Sequence, residues 1–541
     1  MSNAISLNGR LAARWARRAV DRLRRERTEI DELNVFPVPD GDTGTNMYHT
    51  LRSAYLAVEQ LTGPVTLPQV VGALADGAGR GARGNSGLIL AVALQGVADA
   101  LAGVTVATAD AMATALETAS DRARAAVARP VDGTMLTVLY AMAGEARERA
   151  EAGADLLEVI AAVRERSRSA LRETTGQLTA LREAEVVDAG STGIVELFDL
   201  LYVTVTGRTP QESMLTEVSR APKIIHEARA EELEIVAILS AAAPDGLAAE
   251  LDRLGGRSIV INDRKVHVHV DDETAAAVVL DNLGALGIVR LDVEDLRLHE
   301  DEGETKLIAV VQGTGLLMHS ALNGATALAP GGEDLVATVG EIIAAEDREV
   351  IIVPSSTSAL RALFGLRAVT GGEPAESGRA QVVRSRNVAT LLSALAVYDP
   401  FAPATEIFAD MSEAAAGTRV GTILSAEQLA TDPPTGVLPI VEEGMDSAVA
   451  AAAAAHPAQF YRVYIEGKPK TQSTELTTLV EKLADRLLGA GGELLTVVHG
   501  PDCAPEVLDR LQEWIAKSHD SVHFQDFDSR DPGVLVIMGV E

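Results

Sequence analysis

The sequence predicts a multidomain chain of mixed α and α/β class. The expected parts are an N-terminal all-helical barrel over residues 1–208, a small α+β middle domain over 225–305, and a C-terminal α/β region over 306–541. Three observations predict this. Within the first 200 residues, polar loops repeatedly open onto helical patterns. Near Glu234 the apolar period changes, and Lys265-Val-His-Val-His-Val270 alternates strictly, as a strand does. From Leu307 onward, strand, turn and helix repeat.

The composition suits this plan. A chain of 541 residues is expected to hold three or four domains, at roughly 150 residues each. Hydrophobic residues make up 47% of the chain, much of it alanine, and aromatics only 3%, which favours closely packed helices. The net charge of −31 argues against nucleic acid as the main partner, because phosphate backbones need basic surfaces. Cys503 is the one cysteine, so no internal disulfide forms, in keeping with a reducing cytoplasm. Arg10, Arg14, Arg17 and Arg18 break any apolar run of a signal peptide. The longest apolar stretch, Leu88 to Ala107, contains Gln95, Asp99 and two glycines. It reads as a buried helix and its turn, not a transmembrane segment.

The first element, over residues 7–30, is a basic amphipathic helix with Leu11, Trp15, Ala19 and Leu23 as its inner stripe and its arginines on a solvated face. The loop from Asn34 to Met47 follows: Asn-Val-Phe-Pro-Val-Pro-Asp-Gly-Asp-Thr-Gly-Thr-Asn-Met. Pro37 and Pro39 hold it extended. Asp40 and Asp42 are two residues apart, and carboxylate oxygens suit Mg²⁺. The helix start at Gly44, Thr45 and Asn46 offers amides to a phosphate. Together these make a Mg-nucleotide site. An EF-hand is excluded because Thr45 and Leu51 stand where it needs Gly and Glu. A phosphatase-type Asp-x-Asp-x-Thr is excluded by Gly44, and no P-loop sequence occurs.

Three further loops follow the same plan. Gly81-Ala-Arg-Gly-Asn-Ser-Gly87 joins two helical patterns, and its overlap with a dinucleotide fingerprint lacks the strand that motif requires. Gly133-Thr-Met135 opens the next helix. Val186-Val-Asp-Ala-Gly-Ser-Thr-Gly193 opens another, where Ile194, Val195, Leu197, Leu200 and Leu201 read as helix rather than the hairpin of actin-like sugar kinases. Four such loops suit a helical barrel with its site at one end. After a charged connector at Lys223 to Glu234, strands are expected at 234–239, 258–262 and 265–270. His267 and His269 then share one strand face, a spacing that can hold zinc. Further on, Gln312-Gly-Thr-Gly315 reads as a tight βα turn, 444–456 as an alanine-rich helix, and 493–500 and 533–538 as strands. Cys503 reads as a plain small residue.

The Asn34–Met47 string resembles the signature of the dihydroxyacetone-kinase L-subunit (DhaL) family, most closely that of the fatty acid kinase A subunit. The resemblance implies two Mg²⁺ ions carrying the ATP phosphates on Asp40 and Asp42, with Asn34 nearest to a further family aspartate. It also implies nucleotide contacts from Thr43, Gly44, Thr45 and Asn46, from Asn85, Ser86 and Gly87, from Gly133, Thr134 and Met135, and from Asp188 and Gly190. The family carries the paired-histidine strand together with a cysteine on the strand before it. This chain reads Ile235-Val236-Ala237-Ile238 there, so zinc is not expected. The implied activity is transfer of the ATP γ-phosphate to a fatty acid carboxylate. The acid is presented by a separate carrier, a DegV-like fatty-acid-binding protein docked on the C-terminal region, and a homodimer is left open. The alternatives are a dihydroxyacetone-type small-ketone kinase, for which the chain supplies no ketone-binding histidine partner, and a nucleotide-binding scaffold without transfer.

Overall fold

The computed structural model describes residues 7–37, 39, 41–207, 215, 233–296, 305–330, 335–346, 348–364, 380–425, 428 and 461–541. The connector before Glu234, the 444–456 helix and the side chain of Asp40 lie outside the described residues. The chain divides into two compact units. One comprises Met1–Val236, Ala241–Asn282 and Asp295–His299; the other comprises Ala237–Ser240, Leu283–Glu294 and Glu300–Glu541. The stretch expected as a middle domain contributes to both.

The first unit is built on helices α1 (Gly9–Asp31), α2 (Thr43–Glu59), α3 (Leu67–Gly81), α4 (Gly84–Leu101), α5 (Ala109–Ala126), α6 (Met135–Glu151), α7 (Leu156–Gln177), α8 (Thr179–Ala184) and α9 (Ala189–Thr206). From α1 to α7 each helix packs on the next, and α9 packs on both α7 and α1, closing the circuit. Every residue from Val186 to Leu200 is buried, so the start of α9 is apolar and enclosed all round. The buried stripe of α1 keeps Ala19 and Leu23 of the expected set but takes Ala12 and Ala16 in place of Leu11 and Trp15, which sit half-buried at its edge. Alanine lets neighbouring backbones approach closely, while Trp15 uses its edge position to donate Nε1–H to Leu197 O at 2.9 Å. The arginines at 10, 14, 17 and 18 are exposed as expected. The helices enclose an apolar cavity of about 150 Å³, bordered by Leu74, Leu90, Met112, Met142 and Phe198 among others.

Helix α4 is long and apolar enough to cross a membrane by length and composition, yet 56% of it is buried against protein. It packs on α2, α3 and α5. The alternating strand β3 (Lys265–Val270) pairs antiparallel with β2 (Arg257–Asn262), and β1 (Leu233–Leu239) is the neighbour of β3 in the sheet. All six residues of β3 are buried. β2 reaches the helices: Ala128 N donates to Ile259 O at 3.1 Å, and Val260 joins the helical core.

The second unit carries two mixed sheets. In the first, β4 (Ile288–Asp295), β6 (Thr326–Leu328), β5 (Thr305–Val310), β7 (Glu349–Pro354) and β8 (Ala380–Val382) lie in that order. The β4–β6 pair is antiparallel and the others are parallel. The apolar runs of β5 and β7 are buried on both faces, as parallel strands between helices must be. The second sheet has the order β11 (Lys468–Ser473), β10 (Tyr461–Ile465), β9 (Arg419–Ser425), β14 (Val536–Val540), β12 (Leu494–His499) and β13 (His523–Asp528). Cys503 is buried beside its core, and burial pushes the thiol up to about 11, in keeping with a packing role.

Candidate functional site

Helices α3, α5 and α7 are capped by their own side chains: Thr66, Thr108 and Asp155 each accept from the amide three residues on. α4 and α6 receive no side-chain cap. Their starts meet those of α2 and α9. A Cβ on Gly87 would lie 3.1 Å from Asn46 O, one on Gly193 would lie 2.5 Å from Met47 Sδ, and one on Gly190 would lie 3.2 Å from Met135 Sδ. These glycines are where the helix starts touch, so the four loops expected to converge do so.

The convergence has two corners. In the first, a small polar pocket is bordered by Asn34, Pro37, Asp42, Thr43, Asn46, Gly84, Asn85, Ser86, Glu234 and His269. Its volume is about 20 Å³, room for a single ion-sized group. Gly41 takes φ +68 in the turn before Asp42, which explains a glycine between two aspartates. Asp42 Oδ2 accepts from Asn46 Nδ2 at 2.5 Å, and Thr43 Oγ1 lies 3.3 Å from Ser86 Oγ. Asn34 is buried at 2% exposure. Carboxylate, amide and hydroxyl oxygens converging here are donors that fit a hard cation such as Mg²⁺.

In the second corner, Asp188 ties α9 to α6. Its carboxylate accepts from Ser191 N at 2.7 Å, from Ser191 Oγ at 2.6 Å and from the Met135 amide. Burial pushes it up to about 6 despite these bonds. Gly133 N donates to Thr137 Oγ1, and Thr134 Oγ1 donates to Val131 O. Among the described residues, Gly133, Thr134, Met135, Asp188 and Gly190 form this latch and do not border the pocket. Gly87 is spent on the α2–α4 contact.

Gly44 and Thr45 differ from expectation. Their amides donate to Asp31 Oδ1 at 2.6 and 3.0 Å, and Thr45 Oγ1 donates to Asp31 Oδ2 at 2.7 Å. The last residue of α1 thus satisfies the α2 start that a phosphate was expected to occupy. Burial pushes Asp31 up to about 6.

Strand β3 forms one wall. Its alternating face, Lys265, His267 and His269, lies on the α3–α4 loop. Lys265 Nζ donates to Ala82 O, His267 Nδ1 is 2.6 Å from Asn85 Oδ1, and Asn85 Nδ2 is 3.5 Å from His269 Nε2. Glu234 of β1 contacts His267 Nε2. Glu234, His267 and His269 are all buried, and their ligand atoms lie within 4.8 Å of one another. Burial, with His267 alongside, pushes His269 down to about 3, so it is neutral. Sequence reasoning misses Asp31 and Glu234. The signals that could have found them are an acid ending a basic helix three residues before Asn34, and an acid opening an apolar strand ahead of a histidine pair.

Residues 37–202 match the DAK2 domain, and residues 306–541 match the C-terminal region of fatty acid kinase A subunit-like proteins. The chain belongs to the fatty acid kinase A subunit-like family. It is similar to an uncharacterized protein of Staphylococcus haemolyticus, at 25% identity, and to protein YloV of Bacillus subtilis, at 24%; both alignments cover 99% of each chain. Among solved structures, a DegV family protein of Corynebacterium glutamicum aligns at 14% identity over 44% of this chain and 96% of its own, with a TM-score of 0.32. The Streptococcus pneumoniae Fatty Acid Kinase B3 protein loaded with linoleic acid aligns at 13% over 37% and 75%, with a TM-score of 0.28. Likeness at these scores assigns neither fold nor ligand. The family's DAK2 region contains the whole α2, α4, α6 and α9 convergence.

Proposed function

We propose that this chain is the ATP-dependent kinase subunit of a fatty acid kinase, transferring the γ-phosphate of ATP to the carboxylate of a fatty acid presented by a separate carrier. What supports this reading is the pairing, in one chain, of a DAK2 region whose α2 and α4 loops meet at Asp42 with the C-terminal region of the fatty acid kinase family. A carboxylate oxygen of the fatty acid attacks the γ-phosphorus. The new P–O bond gives an acyl phosphate, and the bond to the β-phosphate oxygen breaks with its electron pair leaving on ADP. The acid is ionised at neutral pH, so the step needs no strong general base.

Asp40 and Asp42, with Asn34, would hold Mg²⁺, which supplies charge neutralisation to the phosphates. Thr43, Asn46, Asn85 and Ser86 supply polar contacts around them. The Asp188 latch, with Gly133, Thr134, Met135 and Gly190, closes the nucleotide end of the helical barrel. Residues 1–208 then act as the kinase domain, 225–305 as the middle domain and 306–541 as the platform for a DegV-like fatty-acid-binding carrier, in a cytoplasmic assembly that can be a homodimer. The test mixes the full chain, Mg-ATP and a DegV-family carrier loaded with fatty acid. Acyl phosphate and ADP should appear in equal amounts and only with the loaded carrier. Phosphorylation of dihydroxyacetone with no acyl phosphate would replace this reading with the small-ketone one. ATP binding without either product would leave a scaffold.

A further inference from the structure

We propose that the outer face of α1 is a docking surface for an anionic phospholipid membrane, held by electrostatic attraction and without insertion. From Arg10 to Arg25 the exposed residues of α1 are Arg10, Arg14, Arg17, Arg18, Asp21, Arg24 and Arg25, six arginines and a single acid. At about 100° per residue the six fall within roughly a third of the helix circumference, and they run along about 22 Å of its axis. The opposite side, Ala12, Ala16, Ala19 and Leu23, is buried against the other helices, so α1 is fixed with its arginines outward.

A merely solvated face on an acidic protein collects acidic neighbours. The chain carries 78 acids against 47 lysines and arginines, and arginines on other helices find them. Arg122 pairs with Asp99, Arg147 with Asp110 and Glu117, and Arg149 with Glu145. On α1, among the described residues, Arg10, Arg14, Arg17, Arg24 and Arg25 form no ion pair, and Arg18 donates to the neutral Thr204 Oγ1 at 3.5 Å. A positive stripe is left uncompensated on a chain of net charge −31. Its complement is a dense negative surface. Charges in physiological salt act over about 8 Å, so a surface touching α1 senses the stripe and not the whole chain. The cations are all arginines, whose planar forks bond phosphate oxygens in pairs, so phosphodiester headgroups fit them. The choice of a lipid surface over a protein also rests on the kinase reading. A fatty acid and its acyl phosphate are amphiphiles that partition into bilayers, and a chain that handles them gains by residing there. Insertion is excluded because the apolar stripe of α1 is already spent on the helical core.

Vesicle sedimentation tests this on the full chain with neither ATP nor carrier present, so its failure and that of the kinase reading are distinguishable. The chain should pellet with vesicles of equimolar phosphatidylcholine and phosphatidylglycerol and not with phosphatidylcholine alone. Raising the salt to about 0.5 M should release it. Each arginine removed should weaken partitioning roughly fivefold, so Arg14→Gln, Arg17→Gln and Arg24→Gln combined should weaken it roughly 100-fold. Arg122→Gln, Arg124→Gln and Arg149→Gln combined remove the same charge from other helices and should leave it unchanged. Circular dichroism reports folding throughout. The proposal is overturned by a wild type that ignores phosphatidylglycerol, by a triple α1 variant that binds like the wild type, or by equal losses in the two triple variants. If the wild type ignores these vesicles while the α1 variant weakens association with a loaded carrier or with a second copy, the face belongs to a protein and the lipid assignment falls. If the α1 variant unfolds, the wild type decides by itself, because binding indifferent to salt or to phosphatidylglycerol also overturns the proposal.

Discussion

Glycine-containing turns open both α4 of the first unit and the helix Thr314–Leu322 of the second. At the first, Gly84 takes φ +54, and a Cβ on it would lie 2.1 Å from Asn46 Nδ2. What approaches it is a side chain, and Asn85 and Ser86 are left bordering a polar pocket. At the second, a Cβ on Gly315 would lie 2.0 Å from Asp528 O, and the Gly315 amide already donates to Ser529 O at 3.2 Å. What approaches there is backbone, and the helix start is consumed by the fold. Glycine before a helix marks close approach in both cases. What approaches decides whether the turn can serve a ligand.

The largest effect should come from the loop facing the first turn. Asp40→Asn or Asp42→Asn should weaken Mg-ATP binding by roughly 100-fold or more, the loss expected when a charged partner is removed from a buried ion. The melting temperature should stay the same, since a surface loop carries little of the core. Calorimetric titration with ATP and Mg²⁺ measures it. Unchanged affinity in both variants would mean that the first turn serves no nucleotide either, and the contrast between the turns would vanish.

Gly315→Ala attacks the other side of the comparison. The added methyl meets backbone that cannot rotate away, so unfolding should show a loss of about 1–3 kcal/mol. Nucleotide affinity should not change. If stability were unaffected and ATP binding fell, Gly313-Thr-Gly315 would be a second nucleotide turn.

The same contrast explains what can be read from the sequence. The four polar loops are legible because each carries its own turn chemistry, and the alternation of 265–270 because a strand's period is local. The partner of each group is not. Asn85 and His267 are 182 positions apart, and nothing local announces that they touch. Gly44 and Thr45 look like free helix-start amides until Asp31 is placed against them. In α1, Leu11 and Trp15 outrank Ala12 and Ala16 in hydrophobicity, yet close helix packing selects the alanines. Glu234 escapes notice because a strand acid next to apolar residues ordinarily faces solvent, and only its neighbours across the sheet turn it into part of a site.

The smallest effect comes from two serines at helix starts, and there one substitution should give opposite readouts. Ser356 precedes the helix Thr357–Phe364, and its Oγ accepts from the Ala359 amide at 3.1 Å. That is a cap, so Ser356→Ala should cost roughly 1 kcal/mol of stability and leave nucleotide affinity alone. Ser86 lies inside α4, which starts at Gly84 without a side-chain cap, and its Oγ is 3.3 Å from Thr43 Oγ1 at the pocket. Ser86→Ala removes no cap, so the melting temperature should hold. It removes one polar contact to a bound phosphate, worth about 1 kcal/mol, so ATP should bind roughly fivefold more weakly. Melting curves and ATP titrations on both variants measure the pair. If Ser86→Ala destabilised the chain without weakening ATP, its hydroxyl would be structural like that of Ser356. The α4 start would then belong with the second unit's packed turns.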